Sequence, residues 1–317
     1  MLDLWDLQNR ANMRARLTPG NVNDMVRFAD VAEPKPGAHE AIIAVEAFSI
    51  NRGETFLLEA PKQGWRPGKD IAGHVVQAAA DGTGPAVGTR VVGHPSSHGW
   101  AERVAVPVMQ LAPIPPKVDV TTAAALPLAG LTALRLLRVV GPLAGRRILI
   151  TGASGGVGHF FVELAAAAGA DMFAVAATRE RGCRLFELGA CDVVSDVSAA
   201  PAGMDVVLES IGGASLAVAL TRLAPRGLLV WFGQASRAPA TVDFFSFFDQ
   251  HQSSTIRHFD YTDSDVPDAL DLATLVRLVD TGRLHPELGS VSGWEDTSSR
   301  IADLRARRIR GKAILHL

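Results

Sequence analysis

The sequence predicts an α/β chain of two domains: a barrel-like antiparallel β domain and a doubly wound parallel sheet. Three observations carry this expectation. The chain has 317 residues, 48% of them hydrophobic, which is more than one hydrophobic core usually serves. Short apolar runs separated by turn residues fill the first third. From about residue 147, strand-like and helix-like segments alternate, which implies parallel strands joined by right-handed crossovers.

In the first part, Met13 to Pro116, the apolar runs are Ala41–Ala47, Ile71–Val76, Thr89–Gly93 and Ala101–Val106. Turn signals at Pro34–Gly37, Asp81–Gly84 and Pro95–Gly99 separate them,. This spacing suits a compact barrel. Thr121 to Val140 then reads as one helix, with Leu126, Leu128, Leu131 and Leu134–Leu137 on a broad apolar stripe,. Strands are predicted at 147–151, 173–177, 192–195, 204–208 and 227–232, with a sixth at Thr255–Phe259. Helices are predicted at 156–169, 180–188 and 213–223. Pro267–Asp280 is an amphipathic helix. A helix at 295–306 precedes a last strand, Lys312–Leu317, expected to return to the first domain. The expected domains are therefore 1–120 completed by 285–317, and 121–284.

Composition excludes several function classes. A net charge of −2 gives no global field for nucleic acid or an anionic membrane. The one basic cluster, Arg305–Arg310, reads as a solvated helix face. Acids in Met1–Asp6 stand where an export signal needs positive charge. No apolar run is long enough to span a bilayer. The two cysteines, Cys183 and Cys191, suit free thiols in a reducing cytoplasm.

The most informative segment is Ile148-Leu149-Ile150-Thr151-Gly152-Ala153-Ser154-Gly155-Gly156-Val157-Gly158. A strand enters a glycine turn and a helix follows at once. Ala153-x-Gly155-x-x-Gly158 is the dinucleotide fingerprint with alanine in the first glycine slot. Gly155 admits the pyrophosphate to the backbone, Gly158 lets helix and strand pack closely, and the helix start favours the anion. An NAD-specific site needs an acid about twenty residues on, at the next strand's tip. Here that tip carries Thr178, Arg179 and Arg181 around Glu180. Guanidinium groups suit a 2′-phosphate, so NADPH is the expected cofactor. The alternative is that both arginines only cap a solvated helix start.

Five ordered segments then carry a resemblance over nearly the whole length. They are Ala47–Thr55 around Asn51, Pro67-Gly68-Lys69-Asp70-Ile71-Ala72-Gly73, Ala124–Ala133 (AALPLAGLTA), Glu209–Gly213 and Arg310–Ala313. The chain resembles the medium-chain dehydrogenase/reductase superfamily, in its zinc-independent quinone oxidoreductase-like branch. The resemblance implies a GroES-like β-barrel domain and a Rossmann domain, with NADPH in the cleft between them and a homodimer as the usual assembly. It implies that Asn51 and Thr132 approach the nicotinamide, and that Ser154, Gly155, Gly156 and Val157 hold the pyrophosphate. Thr178, Arg179 and Arg181 would hold the 2′-phosphate. Phe232, Gly233 and Gln234 would flank the nicotinamide ribose, and Lys312 would lie near the cofactor. Asn51 has a plainer reading as a turn residue bonding its own backbone.

Zinc-dependent relatives place a cysteine at Asn51 and a histidine at Lys69, and no cysteine precedes Cys183. His74, His94 and His98 lie in strand and loop positions with no helix to align them as metal ligands, so no metal is expected. Without a Lewis acid, reduction of a conjugated acceptor is easier than alcohol activation. The leading expectation is an NADPH-dependent reductase of a small-molecule quinone or α,β-unsaturated carbonyl. The alternatives are a non-enzymatic NADPH-binding protein, crystallin-like or redox-sensing, and an acyl-chain enoyl reductase. Where related enoyl reductases carry a tyrosine this chain has Phe56. Its one tyrosine, Tyr261, either reaches the cleft as a proton donor or packs at the surface. The run Val242–Asp249, with four phenylalanines, is expected to be covered, as pocket margin, dimer interface or core.

Overall fold

Residues with strand propensity become strands in both halves, ended by the glycines and prolines between them. The computed structural model describes residues 12–20, 25–248 and 251–317; Met1–Asp6 and Asp249, read above, lie outside these. In chain order the elements are β1 (Asn12–Leu17), β2 (Arg27–Ala32), β3 (Glu40–Ile50), α1 (Arg52–Leu57), β4 (Asp70–Gln77), β5 (Arg90–Gly93), β6 (Arg103–Pro107) and β7 (Leu111–Pro113). Helices α2 (Val120–Ala124) and α3 (Pro127–Val140) follow, then β8 (Arg147–Ile150), α4 (Gly156–Ala167), β9 (Asp171–Val175), α5 (Arg179–Glu187), β10 (Ala190–Val194), β11 (Met204–Glu209), α6 (Ala214–Leu220), β12 (Leu223–Trp231) and β13 (Thr255–His258). The last are α7 (Asp268–Asp280), β14 (Leu288–Gly293), α8 (Thr297–Arg305) and β15 (Lys312–His316).

These elements form two compact units. One holds the described residues up to Leu131 together with Val266–Leu317, the other Thr132–Asp265. Segments 121–131 and 266–284 thus lie with the barrel unit. α7 packs on β5 and β7 there.

The barrel unit has a seven-stranded sheet in the order β14-β15-β3-β4-β5-β7, with β6 also on β3. β15 runs antiparallel to β3, Ala313 opposite Ile50 and Leu315 opposite Phe48, so the end of the described chain completes its first sheet. Phe48 stacks on Trp100 at 5.5 Å, in a core with Ile43, Ile71, Val91 and Trp294. β1 and β2 pair antiparallel and were not foreseen, because arginines alternate with their apolar residues. Arg14 and Arg16 lie over the Phe28 ring at 4.2 and 3.4 Å, a cation–π use of charge. The helix expected over Thr121–Val140 is broken at Ala125–Leu126. Pro127 restrains the residue before it and opens α3 at a position where no N–H is needed.

The second unit is an all-parallel sheet in the order β10-β9-β8-β11-β12-β13. Counted within the unit this is 3-2-1-4-5-6, so the direction of winding reverses between β8 and β11. Ligands of such sheets bind outside the carboxyl ends at that reversal. Leu149, Met204, Val207 and Leu229 form its core with Leu216 and Leu220 of α6.

Of the alternatives for Val242–Asp249, burial in the core is corrected here for three of its four rings. Phe244, Phe245 and Phe248 are exposed at 66%, 74% and 65%. Only Phe247 packs on the core. The 3-10 turn Phe244–Phe248 has room to turn one ring inward; Phe244 meets Phe245 and Phe248 edge-on at 5.7 and 5.5 Å.

Candidate active site

The glycine turn lies at the end of β8, where the sheet reverses. Gly155 is the N-cap of α4 and offers no side-chain acceptor, so the first-turn amides lack a cap and suit an anion. A Cβ on Gly155 would press on Gly152 O at 3.2 Å and meet nothing else within 4 Å. A Cβ on Gly158 would lie 2.4 Å from Ala153 O and 2.5 Å from Ala153 Cα, so glycine is required there by the helix–loop contact. These residues fit a diphosphate.

At the tip of β9, Thr178 caps α5 by accepting from Arg181 N at 3.2 Å. Arg181 Nε donates to Ser154 Oγ at 3.3 Å. The arginine thus joins the glycine turn to the β9 tip. Beside it, Ala176, Thr178, Arg179, Phe186, Val193 and Ser195 line a cavity of about 450 Å³. Its apolar wall, Phe186 and Val193, escaped the sequence reading; the alternation that marked the strands carried no signal for it.

The loops after β11 and β12 complete this rim. Ser210 N donates to Thr151 Oγ1 at 2.9 Å and Ser210 Oγ to Thr151 O at 2.9 Å. Ala235 N and Ser236 N donate to Ser210 O and Ile211 O at 3.0 and 2.7 Å. Glu209, fully buried, accepts from Ile211 N and Gly212 N at 2.7 and 2.8 Å; burial raises its pKa against those bonds,. Phe232, Gly233 and Gln234 stand at the end of β12, half-buried, with Gln234 against Gly212. Thr132 is buried in α3. Tyr261 is half-buried, and its carbonyl accepts from Arg135 Nη1 at 2.6 Å.

In the barrel unit the structure joins Asn51 and Lys312 in a buried network. Lys312 Nζ donates to Asn51 Oδ1 at 2.5 Å and to Asp70 Oδ2 at 3.0 Å. Asn51 Nδ2 donates to the same Asp70 oxygen at 2.8 Å. Ser49 Oγ and Leu128 N also donate to Asp70, at 2.6 and 2.9 Å. The Asn51 amide is therefore held in one orientation, oxygen to the ammonium and nitrogen to the carboxylate. His94 Nδ1 lies 2.8 Å from Lys69 O and 3.5 Å from Asp70 Oδ1. His74 meets Glu46 at 2.9 Å, and His98 meets Ser97 at 2.7 Å. Burial alone would raise the Asp70 pKa; Lys312, His94 and Ser49 hold it well below the usual range.

Glu54 is the member sequence reading missed, although Asn51-x-x-Glu54 has the spacing of a capping box. Its carboxylate accepts from Asn51 N and Gly68 N, both at 3.0 Å. Burial and the neighbouring Asp70 charge push it up to about 7. The native state thus holds the Glu54 proton more tightly than the unfolded chain. Its contribution to stability is present below about pH 4.5 and is lost as pH rises through about 7,. Asp70 acts oppositely, its stabilisation being lost as pH falls below 3.8. In Glu54→Gln, urea-unfolding free energies between pH 5 and 8 should lose the decline with pH that the wild type shows; an unchanged slope would refute the assignment.

The comparisons with known proteins agree with this architecture. Residues 37–116 match the alcohol dehydrogenase GroES-like domain, and 156–274 the zinc-binding dehydrogenase family. The chain belongs to the medium-chain dehydrogenase/reductase superfamily, in its quinone oxidoreductase-like branch. It is 27% identical over 310 residues to the quinone oxidoreductase of Pseudomonas aeruginosa, covering 92% of this chain and 95% of that one. It is 33% identical over 282 residues to the spectinabilin polyketide synthase system protein NorB of Streptomyces orinoci, covering 84% of this chain but 13% of that protein. The Escherichia coli quinone oxidoreductase complexed with NADPH superposes with a TM-score of 0.86 at 20% identity, covering 96% of this chain and all of that one. Among the described residues no helix is long and apolar enough to cross a membrane, and no group of three His, Cys, Asp or Glu could hold a metal.

Proposed function

We propose that this chain is an NADPH-dependent, zinc-independent reductase of a quinone or α,β-unsaturated carbonyl. The observation that carries the reading is the uncapped amide turn at the sheet's reversal, tied by Arg181 to a β9 tip where Thr178 and two arginines outnumber the one acid, Glu180. Gly155, Gly156, Val157 and Ser154 would hold the diphosphate. Thr178, Arg179 and Arg181 would hold the 2′-phosphate, with Phe186 and Val193 walling the adenosine side. Phe232, Gly233 and Gln234 would flank the ribose of the nicotinamide, with Thr132, Asn51 and Lys312 nearer the ring. When bound, the cofactor supplies hydride to the electron-poor carbon and solvent supplies the balancing proton. The protein's part is orientation and polar stabilisation of the developing oxyanion. A second copy, in a cytoplasmic homodimer, would cover the exposed edge strand β13 and the phenylalanines before it.

Steady-state oxidation of NADPH against quinones and enones tests the reading. Turnover with a member of either class supports it; tight NADPH binding with no turnover favours the non-enzymatic alternative. Arg179→Gln and Arg181→Gln should each raise the KM for NADPH about tenfold or more, from a lost charge-assisted phosphate bond, and leave that for NADH unchanged. Equal effects on both cofactors would remove the 2′-phosphate assignment. The likeness to a segment of NorB favours one second reading, reduction of an enoyl thioester on an acyl chain, with crotonyl thioester as the discriminating acceptor.

A further inference from the structure

Arginine is seldom left half-buried without a partner, because desolvating its charge is costly unless hydrogen bonds compensate. Among the described residues, every other arginine that is not exposed donates to a carbonyl, hydroxyl or carboxylate. Arg66 does not. Its Nε is sealed from solvent with no hydrogen-bond partner, as in Arg16, Arg52, Arg300 and Arg305, but unlike theirs its guanidinium makes no other hydrogen bond or ion pair among the described residues. Desolvation lowers its pKa.

The surroundings are rigid. The loop carrying Arg66 is laced to the β5–β6 loop by His98 N to Arg66 O at 3.0 Å, Gly99 N to Gly68 O at 3.0 Å and Trp100 N to Pro67 O at 3.2 Å. Gly68 has φ +119, and a Cβ there would lie 2.3 Å from Trp100 N, so this close seam tolerates only glycine. The seam brings a second nitrogen base to the guanidinium. His98 is exposed, holds the left-handed φ of +72, and has Nδ1 on Ser97 Oγ, leaving Nε2. Partial burial and the Arg66 charge lower its pKa.

We propose that Arg66, with His98 beside it, binds an oxyanion of a small-molecule ligand, a carboxylate or a phosphate. A guanidinium matches both bidentately, and the rim position of His98 leaves the pair accessible. That the oxyanion belongs to the reducible acceptor rests on the reductase reading above: the same loop leads through Gly68 and Lys69 to Asp70 and the Asn51 amide. The acceptor would then be a conjugated carbonyl compound bearing an acid group.

Two measurements test this separately. Calorimetric titration of the full chain with inorganic phosphate and with succinate should give saturable binding to at least one, and their ratio identifies the preferred oxyanion. Arg66→Gln should weaken it at least about tenfold. His98→Asn, chosen because asparagine accepts a positive φ, should weaken it less, and Arg27→Gln, on an exposed arginine, not at all. Arg66→Gln should melt at or above the wild-type temperature, since it removes an uncompensated charge. Absence of binding to the wild type overturns the proposal. So does unchanged binding in Arg66→Gln, with or without a fall in melting temperature. In turnover, trans-3-benzoylacrylate should show a KM about tenfold below that of its methyl ester in the wild type and equal to it in Arg66→Gln. If neither acceptor turns over, the reductase reading fails, and the titration alone decides the oxyanion site.

Discussion

Lys312→Met is expected to destabilise the barrel unit by about 3–5 kcal/mol, the loss seen when one partner of a buried ion pair is removed. Lys312 and Asp70 are 2% and 0% exposed, so water cannot replace the ammonium. The variant leaves Asp70 charged and buried, with Ser49, Asn51, the Leu128 amide and the His94 ring still facing it. Asn51 also loses the donor that fixes its oxygen. Adding Asp70→Asn to Lys312→Met should recover part of the loss, because the uncompensated charge is then gone. Urea unfolding of the two single variants and the double variant measures both effects. A Lys312→Met loss within experimental error of zero would mean that the network is not closed in solution.

Gly158→Ala is the second large effect. The new methyl would overlap Ala153 O, Cα and C at 2.4, 2.5 and 2.7 Å. All three are backbone atoms, so no rotamer relieves the clash, and α4 must move away from its turn. Overpacking of this kind costs about 1–3 kcal/mol. The amides that α4 presents to a diphosphate would move with it, and NADPH affinity should fall by more than the stability loss explains. Thermal melting and equilibrium dialysis with NADPH check the two parts. Gly155→Ala gives the contrast: its Cβ presses on one backbone atom, Gly152 O, at 3.2 Å, so its melting temperature should fall less than that of Gly158→Ala while its NADPH affinity is still lost.

Half of the parallel sheet was legible because β8, β9 and β11 are short apolar runs, each followed by a helical period. Ile148–Ile150, Ala174–Val175 and Val206–Leu208 needed no tertiary knowledge. The glycine turn was legible for the same reason, strand and helix standing on either side of it. β1 and β2 were not, since Arg14 and Arg16 look solvent-facing until Phe28 and Trp294 are seen beside them. The buried network was half legible. Asn51 and Lys312 stood out as motif residues, but the sequence does not say that a residue 261 positions away sits on the same amide. Glu54 and Asp70 were passed over because a carboxylate reads as surface until its burial is known. The phenylalanines misled only as to core: a turn five residues long can cover little of itself, and three of its rings stay on the surface of the chain.

The position of β15 has a consequence for biosynthesis. The carboxylate at residue 70 and the ammonium that neutralises it are 242 positions apart, with all of the parallel sheet between them. At ribosomal rates of about 5–20 residues per second, some 10–50 s separate the emergence of the two charges. Through that interval the nascent barrel lacks both its closing strand and the lysine that neutralises Asp70, while the intervening unit already has every strand it needs. The inserted unit should therefore mature first, and the sheet begun earliest should be the last to close.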